Sequence, residues 1–246
     1  MWLEGRQVKT SDGVEKVIPL GTRLAFMSSG LTQLSGATFS VQPAQIVRIC
    51  YTGLVKNSHH VSMKELAAAF ARLTTDHLNR LSDSERAAVG LLAQRLGFQD
   101  NIMESMIAGL DSDGALKVET IDFSLSSTPS PSNGGPRFDW TLAEALAMDS
   151  PRVILSGGVE VLKNAFQDDA SPIRQLPSFT PWAQAMQEGK QVNAVQTAEA
   201  LVDLTIKYSS DTTRLGYPIF VYHLDFQHGL RKVRTVPRGK AVDLPH

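Results

Sequence analysis

Apolar residues along this chain fall into blocks of strand-like and helix-like spacing that follow one another. The front reads as β, with Asp12-Gly13 a hairpin signal flanked by Arg6 to Thr10 and by Val14 to Leu20. A further apolar run, Leu24-Ala25-Phe26-Met27, ends in Ser28-Ser29-Gly30, and residues 37 to 56 suit a strand or a buried helix equally well. Helical signals then take over. Ser62-x-x-Glu65 is a capping-box pattern, and Leu66, Phe70, Leu73, His77 and Leu81 follow at spacings of 4, 3, 4 and 4, one face of a helix. Ser82-x-x-Glu85 caps a second helix expected to reach Leu96, where Gly97 supplies a stop.

Strands return at Met103 to Leu110 and Ala115 to Ile121, joined across Asp111 to Gly114. Ser124 to Arg137, rich in Ser, Thr, Pro and Gly, reads as a long exposed loop. Thr141-x-x-Glu144 predicts a short capped helix, Arg152 to Leu155 a strand entering Ser156-Gly157-Gly158, and Val159 to Phe166 a helix. Pro172, Pro177 and Pro181 punctuate an irregular stretch. Asn193-x-x-Gln196 opens a helix with Val195, Ala198, Val202, Thr205 and Ile206 on one side. Pro218 to Leu224 reads as a strand covered on both faces, which His228-Gly229 turns back into Leu230 to Val233. The tail from Thr235 to His246 is expected to fray. Strand and helix runs segregated in this way predict layered α+β packing in a single domain over residues 1–234.

A length of 246 residues suits one large core. With 24 basic against 25 acidic residues there is no global field to hold nucleic acid or an anionic membrane. A lone cysteine, Cys50, excludes an intramolecular disulfide framework and a cysteine-based zinc cluster, so the expected setting is the cytoplasm. No apolar run approaches the roughly 18 residues of a membrane span, and Met1 to Arg6 lacks the apolar core of a signal peptide.

Candidate chemistry is sparse. Ser156-Gly157-Gly158 lacks the lysine and the glycine spacing of phosphate-binding loops. The six histidines give no helical i, i+4 pair, so His59, His60 and His77 read as surface or packing residues. Cys50 reads as buried and inert, Asp168-Asp169 as a helix end or solvated turn. Arg231, Lys232, Arg234, Arg238 and Lys240 read as a solvated basic tail.

Taken in order, several segments carry more. Glu15-Lys16-Val17-Ile18-Pro19-Leu20, then a strand closed by Ser29-Gly30, resembles the proteasome β-subunit family of N-terminal nucleophile (Ntn) hydrolases, and the spacing from Lys16 to Gly30 matches without a gap. Met106-Ile-Ala-Gly-Leu-Asp111 with Asp113-Gly114 looks like the family's next hairpin. Val153 to Gly157 opening a helix looks like its Gly-Ser-Gly turn. Thr197 to Ser210, then Asp211, Gly216 and Pro218 to Val221, looks like its final helix and strand. Residues 31 to 60 and 124 to 150 lie outside the resemblance.

The resemblance implies a four-layer α-β-β-α sandwich, two facing antiparallel sheets covered by helices. It implies peptide-bond hydrolysis in which an N-terminal Thr hydroxyl attacks the carbonyl and its own α-amine serves as base. Carried over, Lys16 is the lysine that favours the charged intermediates, Gly30 the oxyanion donor, and Ser156 and Asp211 the supports of the α-amine. Lys16 is then expected in the cleft between the sheets with a lowered pKa. Peptide or protein substrates and a homo-oligomeric ring are implied, with no cofactor, metal, nucleic acid or membrane. The family's nucleophile stands upstream of the position matching Met1, and its second-strand aspartate has no counterpart. The expected protein is therefore a threonine-type peptidase subunit represented without its N-terminal segment. The alternatives are a non-catalytic structural or assembly subunit, a degenerate paralogue, or an unrelated α+β binding module.

Overall fold

A computed structural model describes residues 2–3, 6–7, 17–30, 34–35, 40–57, 61–95, 101–126, 137–147, 160–190, 192–209, 219–225, 227–237 and 244–245. The architecture is α+β, with antiparallel strand pairing throughout the described sheets. The chain divides into two compact units, one of residues 17–148 and one joining 1–16 to 149–246.

In the first unit, strands β3 (Val17–Leu20) and β4 (Leu24–Gly30) form a hairpin; β1 (Trp2–Leu3) and β2 (Arg6–Gln7) pair in the other unit. A small pair, β5 (Leu34–Ser35) with β6 (Ser40–Val41), precedes helices α1 (Pro43–Asn57), α2 (Met63–Asn79) and α3 (Asp83–Arg95). Strands β7 (Asn101–Leu110), β8 (Leu116–Ser126), β9 (Arg137–Leu142) and β10 (Leu146–Ala147) follow. The sheet order is β3-β4-β7-β8, with β9 and β10 lying one after the other along the outer edge of β8.

Of the ambiguous stretch, residues 37–39 lie outside the described residues, Ser40 and Val41 form a strand, and the rest from Pro43 is helical. Ile46, Val47, Cys50, Tyr51 and Leu54 recur at helical spacing and pack on the main core, and Pro43 sits at the first position, where its missing N–H costs nothing. Ser62 caps α2, its hydroxyl accepting the Glu65 N–H at 3.5 Å. The box at Ser82 is reciprocal: the Glu85 carboxylate accepts the Ser82 N–H at 2.9 Å and Ser82 Oγ accepts the Glu85 N–H at 3.4 Å. The buried stripe of α2 runs through Leu66, Ala67, Phe70, Ala71, Thr74 and Leu78, so Leu73 is half-buried and His77 is exposed instead of facing the core. Phe70 sits edge-on between Phe26 of β4 and Phe123 of β8, with ring centroids 4.9 and 5.7 Å away.

The predicted helix at Thr141 to Glu144 is absent; Thr141 and Leu142 end β9. Phe138, Trp140 and Leu142 alternate onto the core face, so strand pairing with β8 prevails over a cap-like spacing. Residues 124–126 of the expected loop likewise belong to β8. Burial is two-sided at the sheet centre: Ala25, Met106 and Val118, on the face away from the helices, are also buried.

Asp111 joins the helical layer to the sheet. Its Oδ1 accepts the N–H of Met63, the first residue of α2, and that of Ser112, both at 2.8 Å, while Oδ2 meets Lys117 Nζ at 2.8 Å. Burial raises the Asp111 pKa, but Lys117 and the two N–H donors outweigh it and hold the carboxyl below its ordinary range. Two residues earlier, a Cβ on Gly109 would stand 2.1 Å from the Arg23 carbonyl oxygen, so the strands close here only around glycine.

The second unit holds α4 (Glu160–Gln167), α5 (Phe179–Gln187), α6 (Ala194–Tyr208) and a hairpin of β11 (Ile219–Asp225) with β12 (Gly229–Val236). Its core gathers Leu162, Ile173, Phe179, Trp182, Leu201 and Leu204. The proline-punctuated stretch thus contains a helix, α5, with Pro181 in its first turn, where the absent N–H is tolerated. Asn193 caps α6, accepting the Gln196 N–H at 3.0 Å. Its buried side carries Thr197, Glu199, Ala200, Leu201, Asp203, Leu204 and Thr205; Ala198 and Val202, expected inside, are exposed. Arg231, Lys232 and Arg234 lie on β12, not in a tail, and Arg234 reaches the buried Glu199 carboxylate at 2.9 Å. Leu244 is buried, so the expected fraying does not hold there.

Asp111→Ala leaves the Met63 N–H and the Lys117 ammonium without this carboxylate and should cost roughly 2–4 kcal/mol. Equilibrium urea unfolding measures this, and a loss below about 0.5 kcal/mol would contradict the assigned role.

Candidate functional site

Of the four residues singled out by the sequence, Lys16, Ser156 and Asp211 lie outside the described residues, as do His59 and His60 and the strand expected at Arg152 to Leu155. Gly30 is described, and the candidate site is built outward from it. Gly30 ends β4 with φ +84°, in the left-handed region. A Cβ there would stand 2.5 Å from the Ile102 carbonyl oxygen and 3.0 Å from Met103 Cα. Both the torsion and the space therefore require glycine.

The close approach has a cause in β7. Asn101 faces Ser124 and Met103 faces Phe123 on β8, so Ile102 is an extra residue, a β-bulge. Its side chain is buried in the core, which fixes the bulge. Gly30 pairs with Met103 directly beside it. The sequence predicts this strand only from Met103 onward, so the bulge at Ile102 falls just before its expected start.

Polar groups collect on both faces of the sheet next to this point. On the helix-covered face Ser105, fully buried, donates its hydroxyl to Ser28 Oγ at 3.2 Å. On the other face Ser29, Glu104, Asp122 and Thr141 form one row across β4, β7, β8 and β9. Burial pushes the Asp122 carboxyl up. The arrangement offers a rigid, glycine-only strand end flanked by hydroxyls and half-buried carboxyls, beside an apolar face formed by Ala25, Met27, Met106 and Val118. Such an end can present backbone to an extended ligand. Among the described residues no group of three or more His, Cys, Asp or Glu is placed to hold a metal ion, and no helix is long and apolar enough to cross a membrane.

A second charged group surrounds Asp111. Lys117 Nζ also meets Asp113 Oδ2 at 2.6 Å, and the two carboxylates raise the lysine pKa. Glu119, almost fully buried, is pushed up by burial and by Asp111, against the pull of Lys64 and Lys117. Cys50 is half-buried against the core, and burial raises its thiol pKa, in keeping with an inert thiol. Asp168 lies in the turn after α4, where its carboxylate accepts the Ala170 N–H at 2.9 Å.

Comparison with models of known protein families and with curated proteins finds no match.

Two outcomes are expected. Gly30→Ala forces an L-residue into a left-handed torsion against the Ile102 carbonyl and should destabilise the protein by roughly 1–3 kcal/mol in urea unfolding; a neutral change would contradict the geometry. Glu119→Gln concerns pH. A carboxyl whose folded pKa is raised contributes its stability below the unfolded value of 4.5 and loses it as pH rises through the folded pKa. The Gln variant should therefore be more stable than the parent near neutral pH, with the gain vanishing below the unfolded value. Thermal unfolding across that range checks it, and a pH-independent difference would contradict the assignment.

Proposed function

We propose that this chain is a proteasome-type N-terminal nucleophile hydrolase subunit that cleaves peptide bonds. The observation that carries the reading is Gly30. The residue matched to the family's oxyanion donor closes a strand in a left-handed torsion that only glycine fits, next to a bulge in the neighbouring strand. The sheet around it supports the same reading. It is antiparallel, covered by helices on one face and buried at its centre on the other, as one half of a four-layer α-β-β-α sandwich would be.

In this reading an N-terminal Thr, Ser or Cys, which would stand upstream of Met1 in this numbering, supplies the nucleophile. Its α-amine takes the side-chain proton as the oxygen or sulfur attacks the scissile carbonyl. The Gly30 N–H stabilises the oxyanion and the Lys16 ammonium lowers the cost of the charged intermediate. The amine product leaves with the transferred proton, and water then cleaves the ester or thioester. Ser156 and Asp211 hold the α-amine in place. The substrates are peptides or unfolded protein segments, and the working form is a homo-oligomeric ring in the cytoplasm.

Hydrolysis of a fluorogenic peptide by the full native protein tests the reading. Lys16→Ala should abolish turnover, by at least about a hundredfold, without unfolding the protein. Full activity in Lys16→Ala, or no hydrolysis and no adduct with a peptide electrophile in the parent, would overturn it.

A further inference from the structure

We infer that Ser105 is a positioning residue for the Gly30 backbone, acting through Ser28; its catalytic consequence rests on the proposed role of Gly30 as oxyanion donor. Ser105 lies on the central strand β7, fully buried, on the face that carries Met103, Ile107, Phe26, Ile121 and Phe123. An alanine at that place would carry no desolvation cost, whereas a buried hydroxyl is costly unless it is paired. Ser105 pairs with the residue directly opposite it, donating to Ser28 Oγ at 3.2 Å. Ser28 is only partly buried, so the pair runs from the core toward the surface.

Its place along the strand gives the pair a purpose. Ser28 stands two residues before Gly30 and on the same side of the pleat, one strand repeat away. Beside Gly30, β7 is bulged at Ile102, so the sheet is irregular where Gly30 must be held. A side-chain hydrogen bond across β4 and β7 at this row fixes the spacing of the two strands before the bulge. That spacing sets how close the Ile102 carbonyl stands to Gly30, and hence the room left for the Gly30 torsion. A merely structural pair would stabilise the whole sheet; a positioning pair acts locally on Gly30.

The test is a double-mutant cycle in the full native protein with Ser28→Ala, Ser105→Ala and both together. It is read by the backbone resonances of Gly30, which report its torsion, against those of Leu24 at the other end of β4, and by the kinetics of peptide hydrolysis. Each single change should move the Gly30 resonances, leave those of Leu24 in place, and be no smaller in effect than the double change. The value of kcat should fall with KM unchanged. Ser105→Cys, which keeps the volume and a weaker donor, should give an intermediate shift and serves if alanine prevents folding. Unmoved Gly30 resonances, equal movement at Leu24, or additive effects of the two alanines would overturn the inference. Moved Gly30 resonances in variants of a parent protein that hydrolyses no peptide would instead leave the positioning role standing and sink the peptidase reading.

Discussion

The carboxylate of Asp111 is the contact on which the first unit is organised. It sits at the turn between β7 and β8 and binds the N–H at the start of α2, so the longest helix among the described residues begins at a fixed point on the sheet. Helix N-termini carry unsatisfied donors and a positive partial charge, and a carboxylate answers both. From that anchor α2 runs across β8 and β9, delivers Phe70 between Phe26 and Phe123, and ends where Asn79 exchanges two hydrogen bonds with the backbone of Phe138. A helix held at both ends and wedged by an aromatic in the middle leaves the sheet below little freedom to shift register.

That rigidity gives the end of β4 its meaning. Glycine adopts a left-handed torsion at no steric cost, and the neighbouring carbonyl leaves no room for a side chain. The parts that create this fit are the bulged Ile102, whose side chain is buried in the core, and the ladder from Leu24 to Gly30 along β7. A glycine-only torsion and polar groups coincide at this strand end, between a part-buried hydroxyl pair on one face and half-buried carboxyls on the other. That coincidence favours a functional site over an ordinary strand terminus.

Much of this was legible in the residues, for identifiable reasons. Local signals with a strong physical basis held: the caps at Ser62, Ser82 and Asn193, the hairpin through Asp111 to Gly114, and the Gly229 turn each depend on a few neighbouring atoms. What misled was spacing without context. Thr141 and Glu144 fit a cap pattern, yet Phe138, Trp140 and Leu142 gain more by pairing with β8. Pro181 reads as a breaker until it falls in a first turn. On α6 the spacing holds for Thr205, Val195 and Ile206, which pack inward, but not for Ala198 and Val202, because the buried side also contains Glu199 and Asp203, charged residues that Arg234 and Lys207 accompany. The candidate site was legible in part. Gly30 stood out by resemblance, while the Ile102 bulge and the Ser28–Ser105 pair are tertiary facts with no pattern of their own.

Lys16, Gly30 and the glycine-only strand end acquire a single purpose if a nucleophile stands at the front of the mature chain. Intact mass together with N-terminal sequencing of the protein purified from its native source tests that most directly. The account predicts a chain that extends upstream of Met1 and begins at Thr, Ser or Cys with a free α-amine. A folded native protein that begins at Met1 or Trp2 would contradict it.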